Sequence, residues 1–293
     1  MRHVYECQMR RADLHGDTVS NVAYVDYLQE ARLDLLRHHN TSPTPNPGEG
    51  LVVVNTVVDY LSPLRLSQAP LFVAVWATQV RAASFALGYE LFTGPPDDPV
   101  VHGRATTTLA PYVFAAGRPR RMTAVERERL VSHLGPSPVS DRVAPRGGDV
   151  WAGDGVVERP IHVRFSDVDL LGHVNNLRYL DYAQLAQVDL LVGVFGEAKV
   201  NGTVTTVIAR SEIDYVGQMN LRPEPYDVRS RVVAVGARSA SFEQQIRDPE
   251  DAGRVMARNR IVEVNVDQHD QPTAWHPTHQ DLLEQRMRAA AQS

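Results

Sequence analysis

The residues best suited to chemistry lie in one run, Asp-Val-Asp-Leu-Leu-Gly-His-Val-Asn-Asn, which begins at Asp167. The alternation of its aspartates predicts a strand that presents Asp167 and Asp169 on one face. Gly172 permits a tight turn, and Asn175 and Asn176 then open a helix whose free N–H groups point back along the turn. A carboxylate beside the positive end of a helix can attack an acyl group or deprotonate water, while the amides stabilise the oxyanion. The run therefore predicts acyl transfer or hydrolysis. The alternative interpretation is that these residues only form the turn and cap the helix.

A related run occurs near the start of the chain. The sequence Asp-Leu-His-Gly that begins at Asp13 precedes a Tyr-x-Asp-Tyr motif at Tyr24, as the run containing Asp169 precedes the same motif at Tyr179. Apolar residues then follow at helical spacing in both copies, which predicts one amphipathic helix in each. A duplication of this kind predicts two related halves that pack as a pseudo-dimer, one of which is free to lose its chemistry.

The first copy departs from the second around its turn. When Asp13 is aligned with Asp169, Asp17 stands at the position of His173 and one extra residue precedes the helix. We therefore expect the first half to be degenerate and to complete the fold, while Asp13 stays a candidate second carboxylate. Asp167 is interpreted as a structural partner of the turn.

The elements around the two runs follow one order in each half: a strand, the long helix, four strands and a short polar helix. The predicted later strands are Leu51–Tyr60, Leu71–Val80, Ser84–Phe92 and His102–Val113 in the first half, and Thr203–Tyr215, Tyr226–Val235, Ser241–Arg247 and Arg254–Val266 in the second. The predicted terminal helices are Thr123–Leu134 and Thr278–Ala291. An antiparallel sheet that curls around such a helix buries the apolar face of the sheet and that of the helix together, which predicts an α+β fold. A Pro- and Gly-rich stretch predicts domains at 1–135 and 158–293 joined by a linker at 136–157.

Composition narrows the class of protein. The chain has 293 residues, 43% of them hydrophobic, and a formal net charge of -5, which argues against a nucleic-acid partner. Its single cysteine, Cys7, excludes an intramolecular disulfide and a cysteine-based metal cluster, and is interpreted as a packing residue. The sequence has neither the apolar core of a signal peptide nor a run of about 18 apolar residues that could span a membrane. We therefore expect a soluble cytoplasmic protein.

Taken with Tyr179 and Tyr182, the run from Asp167 resembles the signature of hotdog-fold acyl-CoA thioesterases of the 4-hydroxybenzoyl-CoA thioesterase type. It resembles more loosely the plant acyl-ACP thioesterases, which are also tandem double hotdogs. The resemblance implies a tandem double hotdog, in which each half is an antiparallel sheet wrapped around one long central helix. It also implies that Asp169 is the catalytic carboxylate, as nucleophile or general base, and that the main chain around Asn175 and Asn176 holds the thioester carbonyl.

The resemblance extends to further site residues. His173 is a catalytic candidate because the acyl-ACP branch uses a histidine at this place together with asparagine and acidic partners. Leu171 stands where that branch has its asparagine, so a role in packing the turn stays open for His173. The implied catalytic residues are Asp169, His173 and Asn176, and the implied substrate-binding residues are Gly172, Val174, Asn175, Tyr179 and Asp13.

Hydrolysis of an acyl thioester carried on CoA or acyl carrier protein is the leading hypothesis. No cofactor or metal is expected, because the sequence lacks a His-x-x-x-His or cysteine cluster. One alternative is a hotdog dehydratase or hydratase, although neither a His-x-x-x-Gly-x-x-x-x-Pro dyad nor an Asp-x-Asn-x-x-His run is present. The other is a non-catalytic acyl-thioester binding module. The tandem chain already supplies a minimal pair of hotdogs, and a homodimer of such chains stays open.

Overall fold

The computed structural model describes residues 2–38, 48–67, 69–95, 97–140, 145–148, 151, 153–169 and 172–291. Leu171 and parts of the predicted linker therefore lie outside the described residues. The chain divides into two compact units, Met1–Asp141 and Arg142–Ser293. This division falls inside the segment 136–157, for which domain boundaries at 135 and 158 stay a prediction.

The first unit is an antiparallel sheet with one long helix. Its elements are β1 (His3–Cys7), β2 (Leu14–His15), β3 (Thr18–Val19), α1 (Asn21–His38), β4 (Glu49–Tyr60), β5 (Leu71–Val80), β6 (Phe85–Thr93), β7 (Val100–Val113), β8 (Arg118–Pro119) and α2 (Ala124–Val131). The sheet has the order β1-β5-β6-β7-β4, and β8 pairs with β7. β2 and β3 form a separate hairpin directly before α1.

The second unit repeats this plan. Its elements are β9 (Val157–Ile161), α3 (Asn176–Phe195), α4 (Glu197–Val200), β10 (Thr205–Tyr215), β11 (Tyr226–Val235), β12 (Ser239–Asp248), β13 (Arg254–Val266) and α5 (Pro277–Ala291). The order of its antiparallel sheet is β9-β11-β12-β13-β10, which matches the first unit strand for strand.

The long helices form where the apolar spacing predicts them. The residues at i, i+3, i+4, i+7 and i+11 are buried in both, namely Tyr24, Tyr27, Leu28, Ala31 and Leu35 in α1 and Tyr179, Tyr182, Ala183, Ala186 and Leu190 in α3. In the second unit, α3 packs with β11, β12 and α5 in a core that includes Leu190, Phe242 and Leu283. The predicted α+β fold is confirmed, since each helix buries a full apolar stripe against its sheet.

Every predicted later strand and terminal helix is present, with ends that differ by about three residues or fewer. Three strands match the prediction at both ends: Leu71–Val80, Tyr226–Val235 and Arg254–Val266. None of the helices in the described part of the chain has the length and apolar character needed to cross a membrane.

Candidate active site

The segment before α3 is a turn and not the predicted strand. β9 ends at Ile161, and a 3-10 helix, Phe165–Asp167, follows. The Asp167 carboxylate accepts a hydrogen bond from the main-chain N–H of Arg164 at 2.8 Å. A side chain that bonds nearby main chain in this way closes a turn in place of a strand ladder. The prediction that one strand presents both Asp167 and Asp169 is therefore wrong.

Asp167 is a buried structural anchor. The oxygen that accepts from Arg164 also accepts from the Tyr182 hydroxyl at 2.7 Å, and the other oxygen lies 3.9 Å from the Arg178 guanidinium. The main-chain oxygen of Asp167 accepts from the Asn175 N–H at 2.8 Å. Buried polar groups are normally satisfied by such partners. These bonds tie the turn to the start and the second turn of α3.

Asp169 lies in the narrow loop that this anchor supports. Its N–H donates to the His173 carbonyl at 2.8 Å, and its own carbonyl accepts from the Gly172 N–H at 3.0 Å. Gly172 has φ +83°, a conformation that favours glycine. Val168 and Val174 form an antiparallel bridge that flanks the loop. The Asp169 side chain is half-buried, and one of its oxygens accepts from the His173 N–H at the long distance of 3.4 Å.

The main-chain N–H groups at the start of α3 differ in whether they have an acceptor among the described residues. Asn175 is the N-cap: its side-chain oxygen accepts from the Leu177 N–H at 3.0 Å, and its carbonyl accepts from the Arg178 N–H at 2.9 Å. The N–H of Asn175 itself is used by Asp167. The N–H of Asn176 donates to no acceptor among the described residues. Of the two predicted asparagines, Asn176 is thus the one whose amide can meet a ligand at the positive helix end.

Val174 and Tyr179 hold a more distant segment against the turn. The Val174 N–H donates to the Met219 carbonyl at 2.9 Å. The Tyr179 hydroxyl donates to the Gly217 carbonyl at 3.0 Å and accepts from the Met219 N–H at 2.8 Å, and burial raises the pKa of Tyr179. Both side chains are buried and these polar groups are engaged in structural hydrogen bonds. The substrate contacts that the resemblance implies for Val174 and Tyr179 stay a prediction.

Arg178 is the cation of the first turn of α3. Its guanidinium pairs with Asp181 at 2.6 Å, in addition to the longer contact with Asp167. Burial raises the pKa of Asp181, and the charge of Arg178 opposes that rise. Since two carboxylates face this guanidinium, the positive potential at the helix start comes mainly from the main-chain amides.

The first unit contains the same anchor with different residues. One Asp13 oxygen accepts from the Arg10 N–H at 2.7 Å and from the Tyr27 hydroxyl at 2.7 Å, and the Asp13 carbonyl accepts from the Ser20 N–H at 2.8 Å. These are the bonds that Asp167 makes in the second unit. Asp13 therefore corresponds to Asp167 and not to Asp169, and it makes the bonds of an anchor. Its predicted role as a second catalytic or substrate-binding carboxylate stays a prediction.

His15 consequently stands at the position of Asp169. It pairs with Thr18 in the β2–β3 hairpin, which turns through Gly16 at φ +66° and is one residue shorter than the loop in the second unit. Asp17, at the tip of this hairpin, is exposed and forms an ion pair with Arg65. The first unit thus keeps the scaffold of the turn but has an imidazole where the second unit has its carboxylate.

Comparison with known proteins places the chain in a family. Residues 9–130 and 163–285 both match the family model described as the thioesterase-like superfamily. The chain belongs to this superfamily. Membership supports hydrolysis of acyl thioesters as its general chemistry. No curated protein sequence matches the chain significantly.

Solved structures extend the likeness to the tandem architecture of this thioesterase-like chain. A protein assigned as an oleoyl thioesterase from Lactobacillus plantarum is 14% identical with a TM-score of 0.73, and the match covers 92% of this chain and 98% of that one. A 12:0-ACP thioesterase from Umbellularia californica is 15% identical with a TM-score of 0.68, covering 90% and 97%. An acyl-ACP thioesterase from Bacteroides thetaiotaomicron is 12% identical with a TM-score of 0.64, covering 89% and 97%. The predicted tandem double hotdog is confirmed.

Proposed function

We propose that this thioesterase-like chain hydrolyses an acyl thioester to a free acid and a thiol at the turn that carries Asp169. The observation that carries the proposal is the presence, within one loop and helix start, of the partly exposed Asp169 carboxylate and of the Asn176 amide, which has no acceptor among the described residues. A nucleophile or base next to an oxyanion donor is what acyl transfer requires.

Two routes are consistent with this arrangement. In the first, the Asp169 carboxylate attacks the thioester carbonyl and expels the thiolate, and water then hydrolyses the resulting mixed anhydride. In the second, Asp169 removes a proton from water, the hydroxide adds to the carbonyl, and the tetrahedral intermediate collapses with release of the thiol, which takes up that proton. In both routes the Asn176 N–H stabilises the negative charge on the carbonyl oxygen.

His173 is proposed as the residue that orients Asp169. Its carbonyl and N–H both face Asp169, so the main chain of His173 fixes where the carboxylate lies. Gly172 supports the same loop through its left-handed conformation. We further propose acyl-CoA or acyl carrier protein as the carrier of the substrate, a cytoplasmic location, and a minimal unit of one tandem chain that can pair with a second copy.

The decisive experiment measures thiol release from a panel of acyl-CoA and acyl-ACP substrates, for the wild type and Asp169→Asn. We expect at least about a 100-fold loss of turnover in this variant, because it removes the nucleophile or base. Asp17→Asn is the matched control, since it removes a carboxylate from the corresponding hairpin of the first unit. Burial raises the pKa of Cys7 to about 12, so the native protein adds little background to a thiol assay.

The other outcomes point to the alternatives. Equal release by the wild type and Asp169→Asn would remove Asp169 from the mechanism. Binding of acyl thioesters without release by the wild type would identify a binding module, and interconversion of 3-hydroxyacyl and enoyl thioesters would identify a dehydratase or hydratase.

A further inference from the structure

Three side chains with metal-binding groups converge in the first unit. His3 lies on β1, and Asp34 and His38 lie one turn apart near the end of α1. The His3 Nε2 atom is 2.6 Å from one oxygen of Asp34, and the His38 Nδ1 atom is 3.3 Å from the other. One ligand atom from each residue can be chosen so that all three lie within 4.8 Å of one another.

The second unit shows what this position does without the histidines. Asp189 begins the second Asp-Leu-Leu motif, as Asp34 begins the first, and it forms an ion pair with Arg159 of β9. That pair joins the first strand of the unit to its long helix. Gly193 stands four residues after Asp189, where the first unit has His38.

A strand-to-helix ion pair therefore needs one partner for the aspartate, and the first unit has two. His3 already pairs with Asp34, as Arg159 pairs with Asp189, so the second imidazole, from His38, is additional. The imidazole of histidine is a common metal ligand. Two imidazole nitrogens and one carboxylate oxygen are the donors that zinc and related divalent ions accept.

We propose that His3, Asp34 and His38 bind a divalent transition-metal ion of the zinc type, with water in the remaining coordination position. The ligands come from β1 and α1, so the bound ion would clamp the edge strand of the sheet to the end of the long helix. Zinc binds nitrogen and oxygen ligands at about 2.0–2.2 Å, so the three ligand atoms, which now lie within 4.8 Å of one another, would move closer together around a bound ion. The His38 side chain is 65% exposed, against 16% for His3, so it is the ligand that can move and through which an ion can enter.

This site is independent of the proposed function, because Asp169 lies in the other unit. A local sequence motif cannot reveal this site, because His3 and Asp34 are far apart in the chain and meet only when β1 packs beside α1. The absence of a local His-x-x-x-His pattern therefore does not exclude it.

The test titrates the full chain, freed of metal with a chelator, with Zn²⁺ against a chromophoric competitor, and repeats the titration with Co²⁺ to read its visible absorption. We expect one equivalent bound by the wild type and a loss of affinity of at least about 100-fold in His3→Gln and in His38→Gln. His38→Gln leaves the His3–Asp34 contact in place, so circular dichroism should show an unchanged fold.

Three matched variants assign the bound ion. Asp189→Asn changes the corresponding aspartate of the second unit, Asp169→Asn changes the proposed catalytic residue, and His276→Gln disrupts the imidazole pair that His276 forms with His279. All three variants should still bind one equivalent of Zn²⁺. Binding that survives in His3→Gln and His38→Gln, binding that is lost with His276→Gln, or no stoichiometric binding by the wild type would each overturn the proposal.

Discussion

Replacing Tyr182 with phenylalanine removes one hydroxyl from the anchor beneath the Asp169 loop. The Asp167 carboxylate is buried and accepts from that hydroxyl at 2.7 Å. Without it, the carboxylate keeps the Arg164 N–H at 2.8 Å and the distant Arg178 guanidinium at 3.9 Å. A hydrogen bond to a charged group contributes about 1.5–3 kcal/mol, and we expect the free energy of unfolding to fall by that amount.

Activity should fall as well, because the main chain of Asp167 holds the start of α3 and its carboxylate shapes the turn that leads to Asp169. The internal repeat supplies the control. Tyr27 donates to Asp13 at 2.7 Å, so Tyr27→Phe removes the same bond from the unit that lacks the proposed catalytic carboxylate.

The assay pairs denaturant unfolding with kcat/KM for an acyl thioester that the wild type hydrolyses. Both variants should lose similar stability, while Tyr182→Phe alone should lose about tenfold or more in kcat/KM, since a small misplacement of a catalytic group is costly. Equal loss of kcat/KM in Tyr27→Phe, or unchanged stability in Tyr182→Phe, would refute this reasoning.

Two further predictions concern side-chain hydrogen bonds in the second unit. Asn175→Ala removes the N-cap of α3 and should lower the free energy of unfolding by about 1 kcal/mol, whereas Asn175→Asp should keep the cap and the stability. Denaturant unfolding of the three proteins measures this difference. An unchanged free energy of unfolding in Asn175→Ala would contradict the assignment of the cap. Glu263 is buried against Gln187, and burial raises its pKa above the ordinary 4.5. The folded state then binds this proton more tightly than the unfolded state, so wild-type stability falls as the pH rises above 4.5 towards the folded pKa. Glu263→Gln should therefore be more stable than the wild type at neutral pH and equal to it in acid, and a stability difference that is independent of pH would contradict this.

The elements of the fold were predictable because burial imposes a period on the sequence. The stripe from Tyr24 to Leu35 repeats every three or four residues, and each of its members packs inward. Strand β11 was predictable at both ends, from Tyr226 to Val235, because β-branched residues alternate there between turn residues.

The turn was harder to predict because its conformation depends on side-chain hydrogen bonds and not on a hydrophobic period. Asp13-x-x-Gly and Asp169-x-x-Gly look alike in the sequence, yet Asp13 bonds to Tyr27 as Asp167 bonds to Tyr182. A match of letters two residues out of register is enough to mislead where no apolar period fixes the alignment.

Long-range contacts complete the site and are invisible to local patterns. The loop around Asp169 is held partly by Met219, which meets Val174 and Tyr179 from a segment that follows β10. The sequence carries no signal for that contact beyond the end of a predicted strand. The position at which α3 starts could thus be predicted from the sequence, while the distant residues that hold the loop in place could not.

The comparison of the two copies separates scaffold from chemistry. Asp13 and Asp167 make the same three hydrogen bonds, so this carboxylate serves the fold in either unit. The residue two positions later is His15 in one copy and Asp169 in the other, so the residue type at this position differs between the two copies. A position that can change while its scaffold stays intact is where a duplicated chain can vary its chemistry. Installing a carboxylate at His15 therefore should not unfold the first unit, and it should not create activity either, because the shorter hairpin places its tip differently from the loop that holds Asp169.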